Sequence, residues 1–297
     1  MPITSFTTRP AEHPPNRLTA RSSWEAVHAL WSRAVERLGA VMVIFFALVV
    51  IASGFSAIVL LGWPGSTDTT FSWTLRPDAA AALIGGLYLV SAIAFSYALT
   101  RTWTEVKGLW IAVYGLAVPT FVATLVHNEV FDFSRWQALA WLAIFTGAPI
   151  AVTVVLVAKR HEHPPAEGRR PMALWARLVL AAMALALATL GGLLMLDPTR
   201  REMSEHSPFP LVGLTGAYLG AWCAFAALLA GWSAWCNDWR QARVPVLTLA
   251  ALPIGALVAM ARVPDAASFA YEGALLAVSI LGWACLATDS RRATTSA

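Results

Sequence analysis

The chain has 297 residues, 58% of them hydrophobic and 13% charged, with a formal net charge of +4. A soluble domain carries about 25% charged residues, so half that value leaves too little polar surface to face water. The mean hydropathy of +0.63 therefore excludes a soluble globular enzyme, and unbroken apolar runs, without barrel-type alternation, predict membrane helices.

Residues 1–21 hold Pro, Thr and Arg without periodicity and read as a disordered segment. Residues 1–20 have no apolar signal-peptide core, so the first span is expected to act as both targeting signal and anchor. Over 22–37, Ser22 with Glu25 fits a capping box, and Trp24, Val27, Trp31, Val35 and Leu38 recur at helical spacing. This predicts an amphipathic helix lying on the cytoplasmic interface; a face for a cytoplasmic protein partner is the rival reading.

Eight runs long enough to cross a bilayer follow, at 38–61, 79–100, 107–127, 137–158, 173–196, 209–232, 244–262 and 272–288. The expected fold is an all-α bundle of eight transmembrane helices. Residues 38–158 form one four-helix unit, 159–172 a linker, 173–288 a second unit and 289–297 a tail. The His161-Glu162-His163 stretch of the linker is flanked by Pro164 and Pro165 and reads as a solvated loop without metal.

The two units match at an offset of about 136 residues. Trp103 and Lys107 align with Trp239 and Arg243, and Phe133, Ala138 and Leu139 align with Phe269, Ala274 and Leu275. An even number of spans per unit makes the repeats parallel, with a pseudo-two-fold axis along the membrane normal. Ala81-x-x-x-Gly85 and Gly216-x-x-x-Gly220 fall at related places, so the second and sixth spans are expected to cross near that axis.

Charge sets the orientation. With both termini on one side, that side holds fifteen Lys and Arg residues against five opposite, leaving Arg177 uncounted. Short loops obey the positive-inside rule, so both termini are expected in the cytoplasm. The basic balance then describes an inner face touching anionic lipid, and not a nucleic-acid binder. Cys223, Cys236 and Cys285 all lie away from the outer loops, which leaves no disulfide framework there.

No Asp, Glu, Lys or Arg falls in the middle of a predicted span. Proton relays, ion paths and intramembrane catalysts need such groups, so those mechanisms are disfavoured. No catalytic set, metal site or cofactor motif is legible. Candidate ligand-binding residues are Trp73, Arg76, Pro119, Thr120, His127, Thr215, Tyr218 and Pro253. Pro119 and Pro253 interrupt corresponding helices, a pointer to a midplane site. Thr120, Thr215 and Tyr218 are mild intramembrane polar groups, alternatively helix-to-helix hydrogen bonders. His127, beside Glu129 and Asp132, suits an outer cation or pH-sensitive contact, and Trp73 and Arg76 stand at the outer interface.

The Ala- and Leu-rich run Leu180–Leu187, the Arg-rich inner loops and the many Trp resemble the multi-pass membrane proteins of actinobacteria. That resemblance implies a bacterial plasma membrane and brings no activity. The leading expectation is a protein that binds or transports a neutral or amphipathic ligand, a lipid or small solute, between its halves. The alternative is a non-transporting scaffold that recruits a cytoplasmic partner through residues 22–37.

Overall fold

A computed structural model describes residues 19–162, 169–197 and 213–263, with the backbone alone for 19–24. Among the described residues all regular structure is helical. Helix α1 covers Thr19–Leu38, which places Ser22 inside it. Gly39 then takes φ +90°, a left-handed corner that an L side chain would strain, and α2 begins at once as Ala40–Gly62. A short turn at Pro64–Ser66 and α3, Thr67–Thr70, lead through an extended run to α4, Asp78–Ala98. The remaining helices are α5, Trp103–Val126; α6, Trp136–Ala158; α7, Leu174–Leu196; α8, Gly213–Cys236; and α9, Trp239–Arg262.

Seven of these, α2 and α4 to α9, are long and apolar enough to span a membrane. At 1.5 Å per residue they measure roughly 31–36 Å, against a hydrocarbon core of about 30 Å. The eighth predicted span, the 1–18 segment, the centre of the linker and the tail lie outside the described residues. Two helices start earlier than hydropathy indicates. The third span begins at Trp103 behind a capping box of Thr102 and Glu105, and the seventh at Trp239 behind an Asp238 N-cap. Lys107 and Arg243 mark the edge of the apolar run, not of the helix, because helices continue past the hydrocarbon boundary.

Lipid tails are as apolar as Leu, so helices associate through close packing more than through water exclusion. Here α2 packs along α4, α7 along α8, α5 against α8, α4 against α9, and α6 against α5. Gly86 and Gly255 bring the backbones of α4 and α9 into direct contact, and a Cβ on Gly86 would strike the Gly255 carbonyl. Gly220 meets Gly191 of α7 in the same way, its added Cβ falling 2.8 Å from the Gly191 oxygen.

The expected crossing of the second and sixth spans through their small-residue motifs is corrected by these contacts. Gly85 faces Leu60 and Leu61 of α2, and Gly220 faces α7, so each motif seats its helix on the preceding span. Helices α4 and α8 meet instead through large side chains, Tyr88 and Tyr218. Side-chain hydrogen bonds tie the two ends of the bundle. Arg262 donates to the Leu61 and Gly62 carbonyls, and Arg177 to Ala234, meeting the free carbonyls of helix C-termini.

Gly86→Val is expected to destabilise the bundle by about 3 kcal/mol or more, because backbone must move to admit the side chain. Gly54→Ala, where nothing lies within 4 Å, is expected to be neutral or mildly stabilising. Thermal unfolding in mild detergent compares the two.

Candidate functional site

The described part of the bundle contains an apolar cavity of about 190 Å³. Its walls come from one stripe on each of several helices. Val49, Ser53 and Ser56 line it from α2, Tyr88, Ser91 and Phe95 from α4, and Val113, Leu116 and Ala117 from α5. Helix α6 adds Gln137, Ala140, Trp141, Ile144, Phe145 and Ala148, and α8 closes the back with Trp222 and Phe225. Spacings of three and four put these residues on one face of each helix.

The loop before α4 forms the roof, with Thr70, Phe71 and Ser72. Three hydrogen bonds fix it to the start of α6. Ser72 donates to the Gln137 carbonyl at 3.1 Å, Gln137 to the Thr69 carbonyl at 3.2 Å, and Arg135 to the Asp68 carbonyl at 2.7 Å. Inside the loop, Thr67 Oγ1 accepts from the Leu75 N–H and donates to its carbonyl.

Beside the cavity lies an aromatic layer. The Trp141 ring stands 4.3 Å from Phe145, 4.7 Å from Trp73 and 5.1 Å from Tyr218. Some of its polar atoms are consumed internally, whereas the Trp73 and Trp222 indole N–H groups have no partner among the described residues. Tyr218 donates to the Tyr88 hydroxyl at 2.8 Å, Trp141 Nε1 to Thr124 Oγ1 at 3.0 Å, and Thr124 to the Thr120 carbonyl at 2.8 Å. Among the described residues no charged side chain lines the cavity, and its polar wall groups are the Ser53, Ser56, Ser91 and Ser72 hydroxyls with Thr70, Tyr88, Gln137 and the unpartnered Trp222 indole N–H.

Among the described residues one side of the cavity is open. Helices α2 and α6 touch only weakly, and Phe55, Trp136 and Ile144 on the rim are 51%, 63% and 44% exposed. In a bundle that spans a membrane this seam faces lipid. An apolar cavity of about 150 Å³ suffices for benzene, so this one admits a short apolar body or the end of an alkyl chain, not a whole phospholipid.

None of the eight sequence-predicted residues lines the cavity. Trp73 and Tyr218 come together in the aromatic layer behind it, 5.7 Å apart. Thr120 is buried under that layer with its hydroxyl unpartnered among the described residues, and Pro119 precedes it, half-buried. Thr215 is buried on α8, and Pro253 in α9 lies beside the Gly255 crossing. Arg76 points out and pairs with Asp78 at 3.0 Å.

His127 sits at the end of α5, 3.8 Å from Glu129, an ion pair only when the imidazole is protonated. Asp132 belongs to a different contact. Hydrogen bonds from the Ser134 hydroxyl at 2.6 Å and backbone N–H at 3.0 Å hold its carboxyl below the usual carboxylate range. Among the described residues no three His, Cys, Asp or Glu side chains gather closely enough to hold a metal.

The missed lining residues carry little signal of their own. Ser53, Ser56 and Ser91 are legible as mild polarity within spans, whereas Trp141, Phe145 and Trp222 read as ordinary membrane aromatics. No family model, curated protein or solved structure matches the chain.

Tyr218→Phe removes the hydroxyl that joins α8 to α4 and is expected to cost about 1 kcal/mol. Tyr88→Phe should cost a similar amount, and the double variant scarcely more than either, because both remove one bond. Reversible unfolding in detergent measures this cycle.

Proposed function

We propose that this protein is a multi-pass protein of the bacterial plasma membrane that takes the apolar part of a lipid-like or small neutral ligand into the seam between α2 and α6. The observation that carries this reading is a cavity with no charged lining among the described residues, open between α2 and α6 where the rim side chains are exposed. A charged solute would have to shed its water against a wall with no counter-ion, at a cost of several kcal/mol. A neutral apolar body gains on the order of 25 cal/mol per Å² of surface removed from water.

Topology supports the same picture. Described basic residues gather at one end, among them Arg33, Arg37, Arg101, Lys107, Lys159, Arg160, Arg240 and Arg243, against Arg76, Arg135 and Arg262 at the other. By the positive-inside rule the first end is assigned to the cytoplasm; the eighth span expected from the sequence, outside the described residues, would return the C-terminus to that side. Contacts also support the parallel repeat. Leu60 packs on Gly85, and Met195 packs on Gly220, with both residues of the second pair displaced by 135 from the first. The cavity then lies mainly in the first unit, with its back wall from the second. No nucleophile–base pair lines it, which favours a carrier or binding protein over an enzyme.

A second reading has its own observation. Helix α1 seats Ala34 and Leu38 on the bundle but leaves Val27, Leu30 and Trp31 exposed at 56%, 61% and 44%. Such a face suits the membrane interface or a cytoplasmic partner of a scaffold. Deleting residues 1–37 separates the roles: a binding protein keeps its ligand, and a scaffold loses its partner on pull-down.

For the cavity itself, Ala140→Phe fills the mouth from α6. It is expected to weaken binding of a fluorescent acyl probe by about tenfold or more, with thermal stability within about 1 kcal/mol of the parent. Unchanged probe affinity would contradict the assignment.

A further inference from the structure

The basic end of the bundle holds a set of donors without matching acceptors. Lys107 Nζ lies 6.0 Å from the Trp103 ring centre and 5.6 Å from that of Trp232, and Lys159 Nζ lies 5.6 Å from Trp103. Both ammonium groups therefore lie within cation–π range of one buried indole, two positive charges gathered on a single ring. The Trp103 and Trp232 indole N–H groups are both buried and have no partner among the described residues. Lys159 pairs with the exposed Glu162 at 2.8 Å, while Lys107 has no carboxylate partner among the described residues. Glu105, two residues before Lys107, is engaged with Thr102 at the start of α5.

From this imbalance we propose a phosphate site at Lys107 and Lys159, occupied by the headgroup of an anionic phospholipid. The phosphate oxygens accept from the two ammonium groups beside Trp103, and Glu162 yields its place on Lys159. A lipid, and not free phosphate, is the occupant because of where the site stands. The Lys159 side chain reaches within 3.9 Å of a Cβ position at Gly39, the corner that joins α1 to the first span. Lysine with tryptophan at such a corner lies at headgroup depth in a spanning bundle. This site is separate from the cavity and stands or falls without it.

The test is the thermal unfolding of the full chain in neutral detergent, titrated with phosphatidylglycerol, with phosphatidylcholine of the same chains, or with inorganic phosphate. A ligand of the folded state raises the midpoint by mass action. The expected result is saturable stabilisation by phosphatidylglycerol alone. Lys107→Gln with Lys159→Gln should raise the half-saturating concentration about fivefold per lysine. Lys107→Arg with Lys159→Arg should restore it, and Arg243→Gln, the corresponding charge of the second unit, should leave it unchanged. Equal stabilisation of the parent by both lipids overturns the proposal, whatever the variants do. Saturation by inorganic phosphate alone assigns the site to a soluble anion and overturns the lipid assignment. Equal weakening by Arg243→Gln reduces the effect to a diffuse basic face and overturns it as well.

Discussion

Helices in lipid gain little from hiding apolar surface, so this bundle depends on the places where backbones can touch. The contact of Gly86 with Gly255 draws α4 onto α9, and that of Gly115 with Ala224 draws α5 onto α8. These two crossings join the first four spans to the later ones. Once α4 and α5 are fixed this way, α2 is carried by α4 and α6 by α5. Neither of these outer helices has a strong hold on the other. The seam between them is thus a consequence of where glycine allows close approach, and there the interior of the described bundle opens sideways.

What fills the region behind the seam decides what the seam can accept. Trp73, Trp141, Tyr218 and their neighbours form a packed layer in which Tyr218 bonds to Tyr88 and Trp141 to Thr124, while the Trp73 and Trp222 indole N–H groups have no partner among the described residues. The lining is mainly apolar, and among the described residues it carries no charge to hold an ion. Recognition in the proposed role would rest on shape and apolar contact, with serine, Thr70, Tyr88 and Gln137 groups as the polar exceptions. The basic end has the opposite character, with lysines and indole N–H groups in excess of acceptors. One molecule can therefore meet lipid in two different chemical ways at two depths.

The spans were legible because an apolar run of about 20 residues has few other uses. Their ends were less so: Thr102 and Asp238 extend two helices past the charges that hydropathy treats as boundaries. Trp73 is legible as an interfacial aromatic and Tyr218 as mild intramembrane polarity, and they do meet, but in the wall behind the cavity and not on its surface. The cavity could not be read from the chain. Its lining is contributed by five helices and a loop, each giving ordinary Ala, Ser, Phe or Trp side chains whose convergence depends on packing. Arg76 and His127 drew notice as charged or titratable groups near the membrane edge, and local partners, Asp78 and Glu129, account for both. The small-residue motifs pointed correctly to close packing while leaving the partner helix open, since a glycine fixes the distance of approach and not the neighbour.

The claim on which this account rests is that the seam between α2 and α6 takes up an apolar chain. A lipid carrying a photoreactive group at the end of its acyl chain, reconstituted with the parent protein and mapped by peptide mass spectrometry, tests it directly. The account predicts labelling concentrated on the stretches around Ala52–Ser56 and Ala140–Phe145. Labelling spread evenly over lipid-facing helices, with α7 marked as strongly as α2 and α6, would contradict it.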